Sequence, residues 1–324
     1  MLNLKEIREP IKDNLDYFQT YFKKSVKSNV PLLNIITSYI LKNKGKQMRP
    51  MFVIFSAALA GGINDKTYRA AAMIELLHTA SLVHDDVVDE SDRRRGLFSV
   101  NALWKNKAAV LVGDFLLSKG MLQSLENKDY DMLQIVSDAI KKIIEGELLQ
   151  MEKTRGLNID EDVYFEIIRC KTASLFAACC ACGAASANAS DEFIQKMYSF
   201  GEAIGIAFQI KDDLFDYQKK NEAGKPNGID IKDKKVTLPL IYLINKASYL
   251  DKKKYVNIIK NENNKPEKVK YLIEKVYESG GTSYAESRMN EYYQKALEIL
   301  ISFPENQARQ SLEKLLKFTI DRVN

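Results

Sequence analysis

The chain has 324 residues, 46% of them hydrophobic and 28% charged, the balance of a globular protein. With only 15 Gly and 7 Pro it has few obligatory breaks, which argues against a many-turned β fold and for helices. The net charge of +5, from 48 basic and 43 acidic residues, is too slight for a nucleic-acid footprint, and no basic stripe with interleaved aromatics stands out.

In chain order, the first expected helix covers 3–26. Its start, MLNLKEIREPIKDNLDYF, is charged throughout and lacks the apolar core of a signal peptide. Helices over 31–43 and 50–60 follow. The longest apolar run, about Met51 to Ile63, is too short to cross a bilayer core of ~30 Å, so no transmembrane segment and a cytoplasmic location are expected. A helix over 66–90 ends in the acidic run Asp85-Asp86-Val87-Val88-Asp89, and an irregular stretch with Arg93-Arg94-Arg95-Gly96 comes next.

Helices over 107–126 and 130–152 carry stripes such as Leu133, Val136, Ile140, Ile143 and Ile144 at three- and four-residue spacing. Helices over 160–168 and 172–187 lead to Cys170, Cys179, Cys180 and Cys182. Cys179 and Cys182 form a nominal CxxC, but no His lies nearby and four zinc ligands are lacking. Small thiols at a close helix contact, in a reducing compartment, are the expectation. A helix over 191–218 carries Ile194, Met197, Ile204 and Phe208 and ends in a second acidic run. The stretch YQKKNEAGKPNGIDIKDKKVTL then reads as a long functional loop. Helices over 236–248, 251–261, 266–279, 282–302 and 305–320 complete the chain, with Lys252-Lys253-Lys254 read as a solvated helix end. There is no alternating strand and no short repeat, so the expected fold is all-α, a single domain over 1–324.

The two acidic runs carry the chemistry. Residues four apart on a helix lie on one face, one turn apart, so Asp85 and Asp89 are neighbours with Asp86 beside them. Such carboxylates repel unless a cation neutralises them, and oxygen ligands suit Mg²⁺, which binds through one or two carboxylates plus substrate phosphates. Asp212-Asp213-Leu214-Phe215-Asp216 repeats the spacing, again at the end of an apolar helix. Two such runs point to several metal ions clamped around one polyanion. Cations match them: Arg94 and Arg95 after the first run, and Lys171, Lys225 and Lys235 around the second. Together they imply a diphosphate bridged by Mg²⁺.

These residues resemble the trans-prenyl diphosphate synthase family over nearly the whole chain. GKQMRP, HTASLVHDDVVDESDRRRG, GDFLL, GEL-LQ, KTASLF, FQIKDDLFD, GKP and KVTLPL occur in the family's order, and the sequence is most similar to bacterial long-chain synthases of the octaprenyl type. The resemblance implies a helical bundle around a deep central cavity, usually a homodimer. It assigns Asp85, Asp86, Asp89, Asp212, Asp213 and Asp216 to Mg²⁺ ions that hold the allylic diphosphate. Arg94, Lys171, Lys225 and Lys235 match ligands of that diphosphate. Lys46, Arg49, His78 and Arg95 match the pocket for isopentenyl diphosphate, and Gln209 and Thr172 match polar residues at the reacting end. Gln47 stands where Arg is common, and Arg93 makes a triplet of the family's arginine pair.

The implied reaction is ionisation of an allylic diphosphate, attack by the isopentenyl double bond and loss of a proton, with no His, Cys or Ser nucleophile. The aspartates are then metal ligands, not general acids. Product length is read one turn, ~5–6 Å, below Asp85, where Ala80 and Ser81 are small and leave room for a growing chain. Leu77 lies a further turn down, with Phe52, Ile140 and Ile144 as candidates for the floor. A product above twenty carbons follows. The alternatives are a farnesyl- or geranylgeranyl-length synthase, a class I terpene cyclase, and a non-catalytic subunit of a heteromeric synthase. The cyclase would need a different second motif from DDLFD, and the subunit would have lost acids or lysines that are all present. A His84-Asp85 hydrolase finds little support, since His78 and His84 are the only histidines and lie on different helix faces.

Overall fold

Helices form wherever apolar residues recur at three and four positions, and the computed structural model describes them over residues 3–42, 45–94, 96–156, 160–217 and 228–321. The chain divides into two compact units. Unit 1 comprises Met1–Ile140, Ala178–Tyr198 and Pro304–Leu312; unit 2 comprises Lys141–Ala177, Ser199–Phe303 and Glu313–Asn324.

In unit 1 the single helix expected over 3–26 is three pieces. α1 (Leu4–Arg8) is capped by Asn3, a 3₁₀ turn over Glu9–Ile11 contains Pro10, and α2 (Lys12–Ser25) follows. Proline lacks the N–H an uninterrupted helix needs there. The apolar stripe still runs through, burying Ile7, Ile11, Leu15, Phe18 and Phe22. α3 (Pro31–Lys42) and α4 (Met48–Ala60) come next, α4 entered through Gln47 in the left-handed region at φ 51°.

α5 (Asp65–Val88) starts at a capping box in which the Asn64 side chain accepts from Thr67 N–H and Thr67 Oγ1 accepts from Asn64 N–H. Ala70, Ala71, Ala72, Ile74, Leu76 and Ala80 are buried along it. The helix ends at the first acidic run, with Asp89 as C-cap. The irregular stretch beyond holds a two-residue hairpin, β1 (Arg93–Arg94) antiparallel to β2 (Leu97–Phe98), a strand pairing absent from the sequence expectation. Runs of two residues are too short to show alternation.

α6 (Val100–Glu126) starts seven residues before the expected 107, because Ser99 caps it by accepting from Ala102 N–H. Its backbone breaks at Lys105 (φ 69°, ψ 164°), close to the expected start. α7 (Tyr130–Gly156) opens in this unit, and α9 (Ser174–Ser186) and α10 (Asp191–Phe215) cross it in part. Cys179, Cys180 and Cys182 are buried free thiols. A Cβ on neighbouring Gly183 would fall 2.3 Å from the Val53 carbonyl oxygen of α4, so the small residues serve a close helix approach.

In unit 2, α8 (Glu161–Ile168) passes through a π-helical turn, Arg169–Ala173, into α9. Such turns are rare and gather at functional sites. Gly205 of α10 abuts this turn: a Cβ there would fall 2.4 Å from Ala173 Cα. α11 (Ile229–Lys232) is one turn within the expected loop. α12 (Leu238–Lys246), α13 (Tyr249–Asn261), α14 (Pro266–Ser279), α15 (Gly281–Ile301) and α16 (Gln307–Asp321) follow. Their core joins Tyr164, Ile210, Tyr217, Leu238, Leu272 and Val276 among others. By length and composition alone, Val100–Glu126 and Glu161–Ser186 pass for membrane-crossing helices, as core helices also do; 33% and 78% of their most apolar 18-residue windows are buried within the protein.

Candidate active site

Both acidic runs sit at helix C-termini, α5 and α10. The helix dipole is negative at that end, so carboxylates there are doubly disfavoured until a cation arrives. In unit 1, Asp86 is 3% exposed and accepts from Arg94 Nε at 2.7 Å. The hairpin of β1 and β2 is what returns Arg94 to the end of α5. Arg93 instead stacks on the Phe98 ring at 4.9 Å, which separates its role from that of Arg94; Arg95 lies outside the described residues.

A cavity of about 530 Å³ opens beside Asp86. Lys46, Arg49, His78 and Arg94 all line it, as do Gln47 and Glu75. The sequence therefore brought four of its candidate ligands to one cavity. Phe18, Phe22, Leu82 and Phe98 supply apolar wall. His84, the other histidine, turns to α6, with Nε2 3.2 Å from the Val110 carbonyl and 3.5 Å from Asp114. Gly113 makes this possible, since a Cβ there would fall 2.1 Å from that nitrogen.

In unit 2, Asp213 is 6% exposed and held from two sides. Tyr164 donates to Oδ2 at 2.7 Å and the Gln209 amide donates to Oδ1 at 2.9 Å. Thr172, in the π turn, donates to the Gln209 carbonyl at 2.7 Å. Burial pushes the Asp213 carboxyl up to about 8, and the negative charge of Asp230 adds to it against the two hydrogen bonds. Asp216 accepts from the Ile229 and Asp230 N–H groups at 2.8 and 3.1 Å and so caps α11; burial raises its carboxyl. Asp230 is itself raised to about 6, by burial and then by Asp216. Lys235 lies 4.0 Å from Asp230 and 3.7 Å from Asp233. Lys171 donates to Glu147 at 2.8 Å and Gln150 at 3.0 Å, while Lys225 is outside the described residues. Gly146 allows that approach, because a Cβ on it would meet Cys170 Cβ at 2.7 Å.

The fold has known counterparts. The polyprenyl synthetase family model matches residues 30–276. An octaprenyl diphosphate synthase of Escherichia coli is 32% identical, with 99% of each chain covered. A geranylgeranyl diphosphate synthase of Saccharolobus solfataricus is 33% identical over 93% of each. A polyprenyl synthase of Caulobacter crescentus, solved with calcium and isoprenyl diphosphate, superposes with a TM-score of 0.90 at 32% identity, covering 99% of this chain and 98% of that one.

The chain belongs to the polyprenyl synthetase family. It is a prenyltransferase of isoprenoid synthesis. Among the described residues of this synthase, no three carboxylate, imidazole or thiolate groups converge into a ready metal cage. The donor set still fits Mg²⁺, which needs only one or two carboxylates when substrate oxygens and water fill the rest.

The tunnel candidates are less open. Ala80 is fully buried, and the Ser81 hydroxyl donates to the Leu77 carbonyl at 3.1 Å. Leu77 and Ile140 line an apolar void of only about 10 Å³, too small for an isoprene unit. Ile144 is 55% exposed, so it is a surface residue. Sequence reasoning missed Tyr164 and Asp230 as site residues and gave Glu147 and Gln150 no role. Glu147 and Gln150 did carry a signal, since they belong to the GEL-LQ motif, and Tyr164 stands seven residues before Lys171.

Proposed function

We propose that this synthase condenses isopentenyl diphosphate with an allylic diphosphate to build an all-trans polyprenyl diphosphate longer than twenty carbons, with Mg²⁺ as cofactor. The observation that carries the reading is the cavity where Lys46, Arg49, His78 and Arg94 meet beside Asp86. Lys46 and Arg49 offer a point charge and a planar fork to the isopentenyl diphosphate group. Arg95 joins that pocket by resemblance. Asp85, Asp86, Asp89, Asp212, Asp213 and Asp216 are read as the ligands that hold Mg²⁺ on the allylic diphosphate, with Arg94, Lys171, Lys225 and Lys235 as cationic partners. Residues 1–324 then act as one prenyl synthase domain, consistent with a family match that runs through segments of both units.

Bound Mg²⁺ supplies positive charge that favours diphosphate as a leaving group. The allylic C–O bond breaks with its electron pair going to diphosphate, which Arg94 and Lys171 help to neutralise. In this account those cations exchange their present partners, Asp86 and Glu147, for substrate oxygens. The isopentenyl double bond supplies the electrons of the new C–C bond, and the tertiary cation loses a proton to restore a double bond. Gln209 and Thr172 place their dipoles at the reacting end, and the departing diphosphate is the base. In this reading the chain lengthens past the small side chains of Ala80 and Ser81 towards Leu77, and the void of about 10 Å³ there must widen to admit it.

A homodimer suits α6. Val110, Leu111, Met121, Leu122 and Leu125 are 38–58% exposed and fall within about 120° around the helix. A cytoplasmic location goes with this reading. A product of fifteen or twenty carbons is the second reading, favoured by the similar identity of the geranylgeranyl synthase relative, 33% against 32% for the octaprenyl one. Incubating the protein with labelled isopentenyl diphosphate, Mg²⁺ and geranyl, farnesyl or geranylgeranyl diphosphate decides between them by product mass.

A further inference from the structure

Residues 246–275 contain nine lysines and four acidic residues. Their net charge of +5 equals that of the entire chain, so the rest of the protein is neutral on balance. The charge is therefore concentrated on the end of α12, α13 and most of α14. Lys265, Lys268 and Lys275 are matched by Glu262 and Glu278. Lys246, Lys252, Lys253, Lys254, Lys260 and Lys270 are exposed, and among the described residues none of them pairs with a carboxylate.

The first turn of α13 also carries an apolar tip. Leu250 and Tyr249, in the first turn of α13, are 77% and 72% exposed, the highest values for large apolar side chains among the described residues. Lys253 lies 4.5 Å from the Tyr249 ring centroid. Lys254 lies 4.4 Å from the Tyr271 ring of α14 and donates to its hydroxyl at 2.9 Å, and Lys275 lies 5.8 Å from the same ring. Lysines and tyrosines thus alternate from α13 onto α14, a basic stripe with interleaved aromatics that the sequence expectation did not find because its members come from two helices.

We propose that this face docks on the surface of an anionic lipid bilayer. Tyr249 and Leu250 enter the headgroup layer, where an amphipathic ring and an aliphatic side chain are both favoured. The unpaired lysines meet lipid phosphates, each adding about fivefold to binding near an anionic leaflet. A nucleic acid fits less well, because single strands are held by stacking bases on aromatic faces and here lysines occupy the faces of Tyr249 and Tyr271. The surface stands independently of the catalytic reading, although a long polyprenyl product would need such a surface to leave on.

The test is cosedimentation of the full-length protein, without substrates, with vesicles of phosphatidylcholine alone and of phosphatidylcholine mixed with phosphatidylglycerol, at low and high salt. Binding confined to the anionic vesicles and weakened by salt is expected. The triple variant Lys252→Glu, Lys253→Glu, Lys254→Glu should bind them more than about tenfold less well. Tyr249→Ser with Leu250→Ser should reduce binding that persists at high salt. All five positions are exposed, so circular dichroism should match the parent. Equal binding to both vesicle types, unchanged binding by the folded triple variant, or retention by single-stranded DNA in preference to anionic vesicles would each overturn the proposal.

Discussion

Replacing Tyr164 with phenylalanine removes one of the two donors that hold Asp213. Burial pushes that carboxyl up to about 8 in the metal-free protein, so at pH 7 it is mostly protonated. If Asp213 is a Mg²⁺ ligand, the ion must displace that proton, and affinity at pH 7 is on the order of tenfold below its alkaline limit. A hydrogen bond to a charged group contributes ~1.5–3 kcal/mol, so Tyr164→Phe should raise the carboxyl by about one to two units and weaken Mg²⁺ binding at pH 7 about tenfold or more. The sign on stability is opposite to that of an ordinary salt-bridged acid. The stabilisation from a protonated, buried Asp213 is complete below the ordinary 3.8 and is lost as pH rises through about 8. The melting temperature in EDTA should therefore fall across that window, and Mg²⁺ should restore it. Calorimetric titration of Mg²⁺ with inorganic diphosphate, in two buffers of different ionisation enthalpy and less the proton release of Mg²⁺ and diphosphate without protein, reads the proton released by the protein. Mg²⁺ binding at pH 7 without proton release, or with undiminished affinity in the phenylalanine variant, would refute the reasoning.

Ala80→Phe should shorten the product sharply, as read by mass of the elongation products, and an unchanged length would remove Ala80 from the tunnel; overpacking a fully buried site should also cost ~1–3 kcal/mol in a melt. Gly205→Ala should destabilise by a similar ~1–3 kcal/mol and lower kcat, because its Cβ would push α10 away from the turn that carries Lys171 and Thr172. Lys234 is held at φ 58°, so Lys234→Gly should stabilise by up to ~1 kcal/mol in a denaturant titration without changing activity.

The helices were legible because their apolar residues keep helical spacing, and the acids because Asp-Asp-x-x-Asp stands out at the end of two apolar runs. What the sequence hid was contact over distance. The Arg94–Asp86 pair depends on a two-residue hairpin with no alternation to detect. Tyr164 looked like one more aromatic on an apolar helix until α8 and α10 placed its hydroxyl on Asp213. The π turn at Arg169–Ala173 separates two expected helices but has no compositional mark. Pro10 was a visible break that the helical spacing around it concealed.

The most direct test of the central claim is the elongation assay with labelled isopentenyl diphosphate, Mg²⁺ and an allylic primer. The account predicts a ladder of products ending above twenty carbons, abolished by EDTA and by Asp85→Ala. Folded protein that forms no new C–C bond with any of the three primers would contradict it.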